Sequence, residues 1–373
     1  MTQTNGMLNQ EIKNIFSIGM LININQDFPS HSSAQVTELT KLAITNVLAH
    51  AETSRLIGDW KLVWGPMVDV TEFLFIKAPQ NAICIYYNVN TKSYLVSIAG
   101  TDGYSIPTWL KEDLAVGTTE PLPFDNDGNE HILIAKGTHL GMKIIMGLKD
   151  PITGINAHTF LKDNVKSNDK IYICGHSLGG TLTTVYSLLV KNMFPDNEIY
   201  SMPVASSAIG NTEFAAYYSN KFDKDHNLRI WNEHDVAPHI FQLDMMKQIP
   251  DIYNQPGQKY PPIPIDLIFR GVVDVLYLLS SMHNYTQLDY FYSFCCPVIQ
   301  PSQFNPPLTT ATTSWPVQVQ CQHVISYGYK IGNLDFFALV SEVCNAQFKD
   351  LEGYQTILGK FFTNGISNPF EGE

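Results

Sequence analysis

The stretch KIYICGHSLGGTLTTVYSLLV, residues 170–190, changes character in its middle. An apolar run of strand character meets Gly175-His176-Ser177-Leu178-Gly179, and an amphipathic run at helical spacing follows. Only a sharp strand-to-helix turn reconciles the two periods, and glycine lets backbones approach where side chains would clash. A lone Gly-x-Ser-x-Gly also fits a glycine-flanked turn with a capping serine. The strand before it and the helix after it select the nucleophile elbow, which lifts the serine hydroxyl clear of the sheet edge and turns the next N–H toward the same point. His176 is expected on the opposite side of the turn, in a structural role. A chain built around this corner must layer helices on a largely parallel sheet.

The flanking sequence fits that layering. SSAQVTELTKLAITNVLAHAETSRL carries apolar residues at Val36, Leu39, Ala43, Val47 and Leu48, a helical stripe that Ser32 and Gln35 can open as a capping box. Four short β-branched and aromatic runs follow, DWKLVWG, TEFLFIKA, NAICIYYN and SYLVSIAG, separated by Pro, Asn and Gly turns. They read as the antiparallel opening of a mixed sheet. From about residue 130 helix and strand alternate through KIYICG, EIYSMPVASSA and NLRIWNEHD, the rhythm of a parallel, doubly wound sheet. The expected architecture is one α/β domain over 1–373, with a mixed, mostly parallel sheet and helices on both faces. Residues 1–57 form an N-terminal helical segment, and 240–282 an insertion or cap. NYTQLDYFYSF alternates like a further strand, and HVISY reads as a turn.

Composition excludes several partners. With 23 Lys and Arg against 35 Asp and Glu, the formal charge is −12, and no basic stripe exists to displace counterions from nucleic acid. The most apolar run, IDLIFRGVVDVLYLLSSM (265–282), is interrupted by Asp266, Arg270 and Asp274, so it reads as a helix against protein and not as a membrane span. The N-terminus lacks the basic-then-apolar order of a signal peptide. The six cysteines show no CxxC pair and no metal-ligand spacing. Cys174 suits a buried inert thiol. A bridge from Cys295 or Cys296 to Cys321 and six unbridged thiols both fit the sequence.

A serine nucleophile needs a base, and the base an orienting acid, here in the chain order Ser, Asp or Glu, His. After Ser177, LRIWNEHDVAPHI closes an apolar strand near Asp235, where the exit of a parallel strand meets the ligand-binding edge. Glu233 is the runner-up carboxylate. His239 lies only four residues beyond Asp235, too close to act as a separate member. Triad order and loop placement favour His323 as base, with His283 as the alternative. Two oxyanion donors are also required: the N–H of Leu178, and that of Thr101 after the strand ending at Gly100.

These blocks together resemble the class 3 lipase family, the fungal-lipase-like branch of the α/β-hydrolases. VSIAGTDGYSIPTWLKEDL (96–114) resembles its oxyanion turn, THLGM (138–142) its His-x-Gly block, and IYICGHSLGGTL its elbow. VASSAIGNTEFA (204–215), RIWNEHDVAPH and QHVISY resemble its later blocks, so the likeness runs from about 60 to 330. The resemblance implies Ser177 as nucleophile, Asp235 as acid, His323 as base, and Thr101 with Leu178 as oxyanion donors. It implies ester hydrolysis, with acylglycerol lipids the leading substrate class and small soluble esters or phospholipids the alternatives. Neither a metal nor an organic cofactor is needed. A non-catalytic acyl-binding protein on the same scaffold is the remaining reading. Family members commonly cover the site with a lid, and 102–128 and 240–282 are the candidate segments. Tyr104, Ile106 and Trp109 suit an acyl-facing wall, whereas Leu276, Tyr277 and Leu278 suit either core packing or transient contact with a lipid interface.

Overall fold

The computed structural model describes residues 8–29, 31–73, 76–100, 117–124, 128–254, 261–310, 313–355 and 366–370. Among them, seven strands lie side by side in chain order. They are β1 (Trp60–Phe73), β2 (Ile76–Asn88), β3 (Ser93–Ala99), β4 (Lys170–His176), β5 (Ile199–Val204), β6 (Ile230–Asn232) and β7 (Tyr292–Phe294). The first three pair antiparallel, and β3 through β7 run parallel. The expected mixed, mostly parallel sheet is therefore present.

Two strand expectations need correction. The four opening runs make three strands: β1 passes straight through Pro66, with its register shifted between Trp64 and Met67, and the run TEFLFIKA is divided between the end of β1 and the start of β2. Pro66 lies on the edge strand and at a bulge, the two places where a missing N–H is tolerated in a sheet. NYTQLDYFYSF does not form one strand. Tyr285–Thr286 joins a small second sheet, and Tyr292–Phe294 joins the main one.

Helices cover both faces of the sheet. On one face lie α1 (Gln10–Gly19) and α2 (Ser33–Ala49), burying Ile15, Phe16, Ile44 and Val47 with Tyr86, Leu95 and Cys174 of the strands. The Ser32–Gln35 capping box forms as expected, Ser32 N–H donating to Gln35 Oε1 at 3.0 Å. The close of α1 sits directly on the nucleophile strand: a Cβ at Gly19 would stand 2.8 Å from Cys174 Sγ. On the other face α3 (Lys136–Gly147) and α4 (Leu178–Met193) bury Met142, Ile145, Leu182 and Val185. No disulfide joins any of the six cysteines, so the Cys295/Cys296–Cys321 bridge does not form.

The expected helix within 265–282 is α5 (Leu267–Ser280). Its inner side, with Leu276, packs on Trp315, Ile249 and Met246 in a third apolar cluster beside the C-terminal ends of the strands. Its outer side is left open: Leu267 is 85%, Ile268 79% and Leu278 68% exposed. Plain core packing therefore accounts for Leu276 but not for Leu278.

Candidate active site

The corner that the sequence demanded is sharp. Strand β4 ends at His176, α4 begins at Leu178, and Ser177 between them adopts φ 59° and ψ −128°. A non-glycine residue held at positive φ is strained, and such strain collects at nucleophile turns where surrounding packing enforces it. The packing is tight: a Cβ at Gly175 would fall 2.4 Å from Gly179 O. The chain leaving β3 also presses on the turn, since a Cβ at Gly100 would fall 2.5 Å from Leu178 Cβ. Thr101, Tyr104, Ile106 and Trp109 lie outside the described residues. Leu178 opens the first turn of α4, where a backbone N–H has no intrahelical acceptor.

Three side chains from distant parts of the chain meet here. The Ser177 hydroxyl lies 2.7 Å from His323 Nε2. His323 Nδ1 faces both carboxylate oxygens of Asp235, each at 2.9 Å. Asp235 has no exposed surface, and His323 is buried. The carboxylate also accepts Ala237 N–H at 3.0 Å and Tyr327 Oη–H at 2.8 Å. With Asp235 accepting at Nδ1, the imidazole carries its proton there, and Nε2 is left with a lone pair for the serine proton.

The other candidates go elsewhere. His283 Nε2–H donates to Gly117 O at 3.0 Å, and no hydrogen bond of the described residues joins it to Ser177 or Asp235. His239 Nδ1–H donates to the backbone oxygen of Asp235 at 2.8 Å, bracing the turn that carries Asp235. Exposed Glu233 accepts from Ser293 Oγ at 3.1 Å.

The expected turn around His323 is a helix. Trp315–Gln320 and Ser326–Ile331 are α-helical, and Cys321–Ile325 between them is a π turn, with Ser326 N–H reaching back to Cys321 O. Sequence reasoning missed this helix, and with it Tyr327. The signal was the i, i+4 spacing of His323 and Tyr327, which places both on one helix face toward Asp235. It also missed what His176 touches. The Nε2–H of His176 donates to His323 O at 2.7 Å, and the two rings are 4.7 Å apart. Burial, with a smaller contribution from His323, holds the His176 pKa well below 6.5, so the ring is a neutral donor.

An apolar cluster borders Asp235 and His323. Val236 follows Asp235, Val319 lies one turn before His323, and both pack with Ile240, Trp315 and Leu276 of α5. Among the described residues no group of His, Cys, Asp and Glu is placed to hold a metal ion, and no helix is long and apolar enough to cross a membrane.

Residues 95–245 match the family model described as lipase (class 3). That segment contains Ser177 and Asp235, and His323 lies beyond it. No curated protein matches the chain. Among solved structures, the crystal structure of M37 lipase superposes with a TM-score of 0.71 at 22% identity, covering 91% of this chain and 98% of its own. A nonglycosylated Yarrowia lipolytica LIP2 lipase gives 0.44 at 15% identity, over 62% of this chain and 76% of its own. A triacylglycerol lipase from Penicillium expansum gives 0.38 at 16%, over 72% and 81%.

Proposed function

We propose that this chain, whose residues 95–245 match the class 3 lipase model, hydrolyses the esters of acylglycerol lipids through an acyl-enzyme on Ser177. The observation that carries the reading is the continuous relay Ser177–His323–Asp235, at 2.7 and 2.9 Å, built on a strained elbow. In the proposed first half-reaction His323 Nε2 takes the Ser177 proton as the oxygen attacks the acyl carbonyl. Asp235 holds the imidazolium that results. The developing oxyanion lies against Leu178 N–H and, in this reading, Thr101 N–H; losing one such donor typically costs about 10²–10³ in rate. His323 then gives the proton to the leaving alcohol. In the second half-reaction it activates water against the ester of Ser177, regenerating the hydroxyl and releasing a carboxylic acid.

The acylglycerol class, as against small soluble esters, is supported by α5. Leu267, Ile268 and Leu278 face outward on a helix whose inner face packs against the cluster bordering Asp235 and His323. An apolar face in that position suits contact with a lipid surface.

Fluorophosphonate labelling tests the nucleophile: wild type should label, and Ser177→Ala should not. Failure of the wild type to label would overturn the enzymatic reading. Rates against esters of increasing acyl length, below and above solubility, test the substrate class. A rise on crossing the solubility limit is expected, and a flat response would favour a carboxylesterase of soluble esters.

A further inference from the structure

The catalytic relay fixes what the His323 imidazole touches at its two nitrogens, but the backbone that carries it is a π turn. Such turns are rare single-turn departures from the α-helix and recur at functional sites. Two consecutive carbonyls of this one are bonded from outside the helix. Gln322 O accepts Asn232 Nδ2–H at 3.1 Å, and His323 O accepts His176 Nε2–H at 2.7 Å.

The origin of these two donors is informative. His176 is the last residue of β4, immediately before Ser177, and Asn232 is the last of β6, three residues before Asp235. The strand that delivers the nucleophile and the strand that delivers the acid therefore each hold the backbone of the base. Asn232 is itself fixed on every side. Its Oδ1 accepts from His234 N–H at 3.2 Å and Cys296 N–H at 3.0 Å, and its Nδ2 also donates to Gln322 Oε1 at 2.8 Å. Both side chains are buried.

We infer that His176 and Asn232 are positioning residues, whose bonds to the carbonyls of His323 and Gln322 hold the π turn in the register that places the His323 imidazole between Ser177 and Asp235. The inference rests on the proposed role of His323 as base. The neutrality of His176 suits the task. A second positive charge 4.7 Å from the His323 ring would oppose the imidazolium formed on proton transfer. Displacement of a reacting group by about 1 Å can cost 10²-fold in rate, which sets the scale for losing the clamp.

The test separates the hydrogen bond from the volume of the side chain. His176→Leu keeps the bulk and removes the donor. His176→Gln places an amide N–H near the Nε2 position. His176→Asn stays polar but reaches only as far as Nδ1. The leucine and asparagine variants should lose about 10- to 100-fold in kcat with KM unchanged, and label correspondingly slowly with fluorophosphonate, while glutamine recovers to within a few-fold of wild type. A leucine variant as fast as the glutamine variant would overturn the clamp, because packing alone would then suffice. Should the leucine variant not fold, the asparagine–glutamine pair carries the same comparison, and equal rates in that pair overturn it too. Wild type that neither turns over ester nor labels would instead refute the serine mechanism, a separate outcome.

Discussion

Tyr327 and Asp235 form a buried pair in which the phenol donates to Asp235 Oδ2 at 2.8 Å while its oxygen accepts Asn232 N–H at 2.8 Å. Burial and the neighbouring carboxylate push the Tyr327 pKa well above its ordinary 10.0, so the hydroxyl keeps its proton and remains a donor. Its removal would leave both Asp235 and the Asn232 N–H short of a partner. Tyr327→Phe is therefore expected to cost about 1–3 kcal/mol in stability, the penalty of a buried group left unsatisfied. Since Asp235 would still hold His323, kcat should fall by about tenfold, far less than expected on loss of Ser177 or His323. Thermal unfolding and steady-state rates on one preparation check both.

The assignment of the base has a sharper test. Groups that act as a unit are not additive, so His323→Ala should cost about as much kcat as Ser177→Ala, and the double variant little more than either. His283→Ala should stay within a few-fold of wild type, because its Nε2 bonds Gly117 O and not the serine. A large loss at His283 beside a small one at His323 would reverse the assignment.

How much of this was legible in the residues depended on whether the signal was local. The elbow was, since strand, glycines and helix are contiguous, and Ser177 could be named from 21 letters of KIYICGHSLGGTLTTVYSLLV. Asp235 was read from its place near the exit of a strand, which ends at Asn232. The helix around His323 was not legible: QCQHVISYGY lies between a proline-bearing segment and Gly332, and a π turn breaks the 3.6-residue period on which helices are read. The continuity of β1 from the first run into the start of the second was hidden by Pro66, which marks a break in the interior of a sheet but not on its edge. The contact of His176 with His323 O links residues 147 apart and leaves no periodic trace in the sequence.

Buried histidines set a pH dependence of stability. His176, His234 and His239 all have pKa values pushed below 6.5, chiefly by burial. In the unfolded chain each takes up a proton near 6.5, while the folded protein resists it, so the unfolded state binds more protons as the pH falls. Stability should be level above about pH 7 and decline below 6.5, with a slope of up to about 1.4 kcal/mol per pH unit for each histidine still neutral in the fold. Melting temperature followed from pH 8 to 5 checks the sign. Replacing His176 by Gln should flatten part of that slope, and a protein that grew more stable on acidification over this range would contradict the account.

The outward face of α5 gives the last prediction. Leu267, Ile268 and Leu278 are large apolar side chains exposed among the described residues, on a helix whose other face packs in the cluster beside Asp235 and His323. Full withdrawal of one such side chain from water is worth about 1.5–3 kcal/mol, and a lipid interface withdraws it in part. Leu267→Gln, Ile268→Gln and Leu278→Gln combined should therefore weaken partition onto neutral phospholipid vesicles by at least about tenfold. The same variant should lose activity on emulsified long-chain ester, while turnover of a short ester below its solubility limit stays within a few-fold and the melting temperature holds or rises. Co-sedimentation with vesicles and the two assays read these separately. Equal losses on both esters would mean that the helix matters to the fold of the site and not to its meeting with lipid.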